Sequence, residues 1–135
     1  MGCEELHPPV VAVMWTVDDA LVLRAARLAE EQRSPLVLLL VVRRPWTLMF
    51  DAALGAEFDS MDLELEALLK AGALLADSPL VWSLHTAYGE TSEAVATRVR
   101  QHRPGWIVLG RSRWRHASKV LGLRVFPPDT KVLIV

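Results

Sequence analysis

Gly110, Arg111, Ser112, Arg113 and Arg115 are the residues of this 135-residue chain best equipped for chemistry. Three guanidinium groups and a hydroxyl fall directly after the apolar run Trp106-Ile-Val-Leu109. Guanidinium forks grip phosphate or carboxylate oxygens through paired, charge-assisted hydrogen bonds. A glycine opening such a loop lets the backbone turn sharply or lets a ligand come close. The chemistry indicated is anion binding. The plain alternative is a solvated basic turn after a strand, and the short motif alone does not separate the two.

Other reactive side chains suggest less. Asp18-Asp19, after the first apolar run, resembles the acidic pair that holds Mg²⁺ in phospho-acceptor receiver domains. Those domains also need an aspartate after the third strand, where this chain has Thr86-Ala87-Tyr88. Helix capping is the expected role of the pair. His7, His85, His102 and His116 show no metal-ligand spacing. His102 reads as a helix-end residue favoured by the dipole, and His116 as a surface residue. Cys3 is the single cysteine, so no intrachain disulfide forms, and no sequence neighbour activates its thiol. No Ser-His-Asp or Cys-His arrangement emerges from linear order. These residues support no catalytic centre.

Composition narrows the class. Hydrophobic residues make up 52% and charged residues 23%, as in a soluble globular domain. The longest fully apolar run, Leu36 to Val42, falls far short of the about 20 residues that cross a bilayer. Glu4 and Glu5 stand where a secretory signal carries basic residues. Leu6 occupies the position where N-myristoylation wants Ser or Thr. A cytoplasmic protein without membrane attachment is the expectation. The net charge of −1 hides an asymmetry: residues 98–135 hold nine basic side chains against one acidic, Asp129. Such a basic third suits an anionic ligand, although it can equally pair with acids elsewhere on the folded surface. No nucleic-acid motif accompanies it, and the five tryptophans are scattered at strand ends rather than grouped for base stacking. Nucleic acid is therefore not an expected partner.

These residues need a scaffold, and hydrophobic periodicity supplies it. Val10 to Trp15, Leu36 to Val42 and Trp106 to Leu109 are unbroken apolar runs, which suit strands buried on both faces. Leu80 to Ala87 is more mixed and belongs towards a sheet edge. Lys131 to Val135 is a last strand. Between them, Leu21, Ala25, Leu28 and Ala29 recur at helical spacing behind a Thr16 or Asp18 cap, and Ser34-Pro35 ends that helix. Residues 47–55 read as a loop or loose helical turn. Phe58, Met61, Leu65, Leu68, Gly72 and Leu75 then mark the inner stripe of a second helix, with a Glu66–Lys70 pair outside. A third helix runs through His102, with Val95, Val99 and His102 inside and Arg98, Arg100 and Arg103 outside. A short helix is expected over residues 117–123. The β-α-β-α-β-α-β-α-β order implies one doubly wound α/β domain over residues 1–135, a three-layer parallel sheet with right-handed crossovers.

Three segments carry a resemblance. Val11-Ala-Val-Met-Trp-Thr-Val-Asp-Asp-Ala20, Tyr88-Gly-Glu-Thr-Ser-Glu-Ala-Val95, and Trp106-Ile-Val-Leu-Gly-Arg-Ser112 with the terminal Lys-Val-Leu-Ile-Val resemble the universal stress protein family. The likeness spans Val10 to Val135. It implies a five-stranded adenine nucleotide alpha hydrolase-like fold with strand order 3-2-1-4-5. A ligand would then sit where the order reverses, between the first and fourth strands.

The resemblance further implies ATP or another adenine nucleotide as ligand, held by Val13, Met14, Trp15, Thr16, Val41, Val42, Gly110, Arg111, Ser112, Arg113, Arg115 and Gly122. Val41 or Val42 would offer backbone hydrogen bonds to a base. The chain departs from ATP-binding members in several places. Met14 stands where they carry Asp. In their Gly-x2-Gly-x9-Gly-Ser/Thr loop Gly110 matches the first glycine, but Arg113, Leu123 and Arg124 replace the second glycine, the third and its hydroxyl neighbour. Gly122 falls one residue early. The arginines, with Ser112 or Ser118, are the compensating phosphate ligands. The family also implies a homodimer through Lys131 to Val135, and a sensor or regulatory role with at most weak ATP hydrolysis. The rival reading is a nucleotide-free interaction module that keeps only the fold and the dimer.

Overall fold

The computed structural model describes residues 7–42, 53–88, 92–110 and 130–135. Strands β1 (Val10–Met14), β2 (Leu36–Val42), β3 (Trp82–Tyr88), β4 (Trp106–Leu109) and β5 (Lys131–Ile134) alternate with helices α1 (Asp19–Gln32), α2 (Ala53–Leu74) and α3 (Ser92–Gln101). The sheet is parallel throughout, in the order β3-β2-β1-β4-β5. β1 lies at its centre, paired with β2 from Val10↔Leu36 and with β4 from Val10↔Trp106. Both the fold class and the strand order match the expectation. β3, with its mixed composition, does lie at an edge. The helix expected over 117–123 lies outside the described residues.

Alternation along the strands divides the core into two layers. Val10, Ala12 and Met14 of β1 and Leu36, Leu38 and Leu40 of β2 pack with α1 and with Ala67, Ala71 and Leu75 of the α2 region. Val11, Val13, Val37, Leu39 and Val41 face the other way, towards Val99 of α3, together with Ile107 and Leu109. Apolar residues on both faces are why these strands read as unbroken runs.

The second helix corrects the reading of its face. It begins at Ala53, so residues 53–55 are helical, and it buries Ala67 and Ala71, with Leu75 buried just past its end. Leu65 and Leu68, assigned to the inner stripe, are 56% and 44% exposed. Leucines lie all round this helix, so their spacing does not select a side. Small residues do, because they let α2 approach α1 and the sheet closely. Lys70 does not pair with Glu66 either. It reaches Asp19 at the start of α1, 3.4 Å away, and donates to the Val17 carbonyl at 3.3 Å.

Caps set the limits of α1. Asp18 is its N-cap, accepting from the amides of Ala20 at 3.0 Å and Leu21 at 3.4 Å. Capping is thus the role of Asp18, as expected. Asp18→Ala removes that acceptor and costs about 1 kcal/mol of stability, measurable by denaturant titration. The helix stops at Arg33 (φ 52°), whose amide caps the carbonyls of Ala29 and Glu30 before Pro35 is reached. Gly105, leading into β4, donates to Pro9 O and accepts from Lys131 N, both at 3.0 Å. A Cβ there would come within 3.0 Å of the Pro8 side chain, so a close approach requires this glycine. Beyond it Lys131 lies over the Trp106 ring, 5.3 Å from its centroid, across the β4–β5 pair.

Candidate functional site

Crossovers run one way from β1 to β2 and β3, then reverse to β4 and β5. In open parallel sheets this reversal leaves a crevice at the carboxyl ends of the two diverging strands. Here the crevice is a small cavity of about 70 Å³, lined by Val13, Met14, Trp15, Thr16, Asp18, Leu21 and Gly110. A larger cleft of about 310 Å³ adjoins it and shares Trp15 and Thr16. Leu40, Val41 and Val42 at the end of β2 form one wall, and Leu63 and Ala67 of α2 another. Glu66 and Lys70 supply its charges. One compartment is therefore narrow and close to the backbone, and the other is wide and largely apolar.

Seven of the twelve residues assigned from sequence line these two compartments: Val13, Met14, Trp15, Thr16 and Gly110 the first, and Trp15, Thr16, Val41 and Val42 the second. Arg111, Ser112, Arg113, Arg115 and Gly122 lie outside the described residues, as do Ser118 and His116. Met14 is 3% exposed, so the end of β1 brings an apolar thioether and no carboxylate to the crevice floor. Gly110 does not adopt the left-handed conformation that demands glycine. A Cβ built on it meets no atom within 4 Å. Its lack of a side chain is not needed for packing and leaves the crevice open. Leu63, Glu66, Ala67 and Lys70 were missed by sequence reasoning, because nothing along the chain shows that α2 folds over the end of β2.

Two of the four histidines also meet, away from this crevice. The rings of His85 on β3 and His102 after α3 are 4.9 Å apart, centroid to centroid. Burial, then His85, then Arg98 hold the His102 pKa below its usual value. That direction is opposite to the one expected from the helix dipole, because desolvation and the neighbouring His85 and Arg98 outweigh the last turn's carbonyls. Among the described residues no cluster of three or more His, Cys, Asp or Glu side chains is placed to hold a metal ion. No helix among them is long and apolar enough to cross a membrane.

Comparison with known proteins agrees with this architecture. No curated protein matches the sequence. Among solved structures, a universal stress protein family member from Burkholderia pseudomallei superimposes with a TM-score of 0.71 at 17% identity, covering 97% of each chain. The universal stress protein from Archaeoglobus fulgidus, solved in complex with dAMP, gives 0.68 at 15% identity over 96% of this chain and 98% of its own. A universal stress protein in complex with cAMP gives 0.63 at 18% identity, over 94% and 95%. At such identities the likeness establishes the fold. The model of the universal stress protein family matches residues 10–125. The chain belongs to the universal stress protein family.

Proposed function

We propose that this chain is a regulatory binding module whose ligand is an adenine nucleotide or another phosphate-bearing molecule, held at the carboxyl ends of β1 and β4. The observation that carries the reading is the pair of adjoining compartments at the point where the sheet reverses. The apolar cleft between Val41, Val42 and Leu63 suits a flat base. The narrow crevice at Gly110 suits a phosphate close to the main chain, with Arg111, Ser112, Arg113 and Arg115 as the proposed anion ligands. Family members in complex with dAMP and cAMP support the ligand class. The chain acts as a sensor rather than a catalyst, and the cytoplasm is its proposed location.

Met14 favours a second reading. With no carboxylate at the end of β1, a ribose or base group loses an acceptor there, and the chain would serve as an interaction module without nucleotide. One experiment separates the two. Protein purified without added nucleotide is denatured, the supernatant is analysed by mass spectrometry, and ATP is titrated into the native protein by calorimetry. Released adenine nucleotide, or a dissociation constant on the order of micromolar, supports the first reading. Absence of both supports the second.

Under either reading the chain pairs with a second copy through β5, the edge strand whose open hydrogen-bonding groups invite association. Deleting residues 131–135 then yields monomer or aggregate by size-exclusion chromatography with light scattering. A well-behaved dimer after the deletion removes β5 from the interface.

A further inference from the structure

Linear spacing hides a histidine pair that the fold assembles. His85 projects from edge strand β3, and His102 follows the last residue of α3. Their ring centroids are 4.9 Å apart, with planes inclined at 56°. Two imidazoles sharing one cation, with metal–nitrogen bonds of about 2.0–2.1 Å, place each centroid roughly 3.2 Å from the metal. Ligand angles of about 90–110° then separate the centroids by roughly 4.5–5.2 Å. The observed spacing falls within that window.

We propose that His85 and His102 form a two-histidine site for a divalent transition cation of the nickel, copper and zinc class, bridging β3 and the end of α3. Imidazole nitrogen suits these borderline metals and not Mg²⁺ or Ca²⁺. Ser83 Oγ lies 3.1 Å from His85 Nε2. An oxygen holding one ring nitrogen orients a ligating imidazole and leaves Nδ1 for the metal when Nε2 carries the proton. Water completes the coordination. Arg98 opposes binding, because a charge that disfavours imidazolium also disfavours a metal ion. Its side chain is exposed and free to turn towards solvent, so it weakens the site without blocking it.

Calorimetric titration of the EDTA-treated full chain with Zn²⁺ or Ni²⁺ tests the site. The expected result is one saturable site near neutral pH, weakened about tenfold or more by either His85→Gln or His102→Gln. Acidification to about pH 5.5 weakens it comparably, by protonating the ligands. Arg98→Gln tightens binding severalfold. This gain separates chelation by the pair from a general loss of folding, which circular dichroism of each variant also monitors. Paramagnetic Cu²⁺ broadens the amide resonances of residues 83–87 and 99–103 first. No saturable site below about 1 mM cation overturns the proposal, given that a chelating pair of imidazoles should bind well below that level. Unchanged affinity in the double histidine variant, or broadening centred elsewhere, also overturns it.

Discussion

Leu38→Ala lowers the free energy of unfolding by about 4–5 kcal/mol, near the top of the range for truncated core leucines. Leu38 is fully buried in β2, between Ala12 of β1 and Leu84 of β3 in register. The layer it faces is rich in small side chains: Ala25 and Ala29 of α1, and Ala67 and Ala71 of α2. Alanines have no rotamers to swing into a vacated space, and the main chains behind them are held by helix and sheet hydrogen bonds. The cavity therefore persists instead of collapsing, and its cost adds to the lost transfer energy of the methyl groups. A typical domain has only about 5–15 kcal/mol in total, so the variant is marginal at room temperature. Leu69→Ala, at a site 67% exposed on the outer side of α2, changes stability by about 0.5 kcal/mol or less. Guanidinium titrations of both variants read the contrast. A loss below about 2 kcal/mol for Leu38→Ala would show that α1 and α2 settle onto the sheet after truncation.

The same alanines explain where the sequence was legible and where it was not. Strands buried on both faces announce themselves, because Val10 to Met14 and Leu36 to Val42 have no polar residue to interrupt them. The cap at Asp18 was legible because a carboxylate before a periodic apolar stretch has a local hydrogen-bonding reason to be there. The face of α2 was not. Its leucines are larger and more hydrophobic than its alanines, so a periodicity argument puts them inside. Closeness of packing reverses that choice, and closeness is a tertiary property. The charge partner misjudged from sequence has the same origin: Lys70 finds Asp19, across a long stretch of chain.

The candidate site divides along the same line. Gly110 and the residues ending β1 and β2 were readable because strand order fixes which strand ends adjoin, and the family likeness supplies that order. Glu66 and Lys70 were not, since they reach the cleft from a helix whose orientation only the folded chain determines. Under the function proposed above, ligand selectivity would therefore rest partly on residues outside any linear motif. In that reading a base entering the wide compartment would meet the carboxylate of Glu66 and the ammonium of Lys70 as well as the end of β2, so the apolar walls alone would not define its specificity.

Gly110→Val removes nucleotide binding by about 100-fold or more, equivalent to at least about 2.7 kcal/mol, under the function proposed above. The backbone there is outside the left-handed region and an added Cβ has no neighbour within 4 Å, so a β-carbon enters without a clash. Thermal stability consequently stays close to that of the wild type, within about 1 kcal/mol. Gly110 lines the narrow compartment together with Thr16 and Met14, and the branched side chain is expected to take up room there. A phosphate oxygen must come within about 3 Å of an amide nitrogen to accept its hydrogen bond, and the valine methyls occupy that approach. Gly110→Ala, with one carbon in place of three, gives an intermediate loss. Calorimetry with ATP and a melting curve on each variant make the comparison. Graded loss of affinity at constant stability places the phosphate at the β4 turn, because a folding defect would move both measurements together. Wild-type affinity in the valine variant would instead take the phosphate away from this crevice and confine any ligand to the wider cleft along β2 and α2.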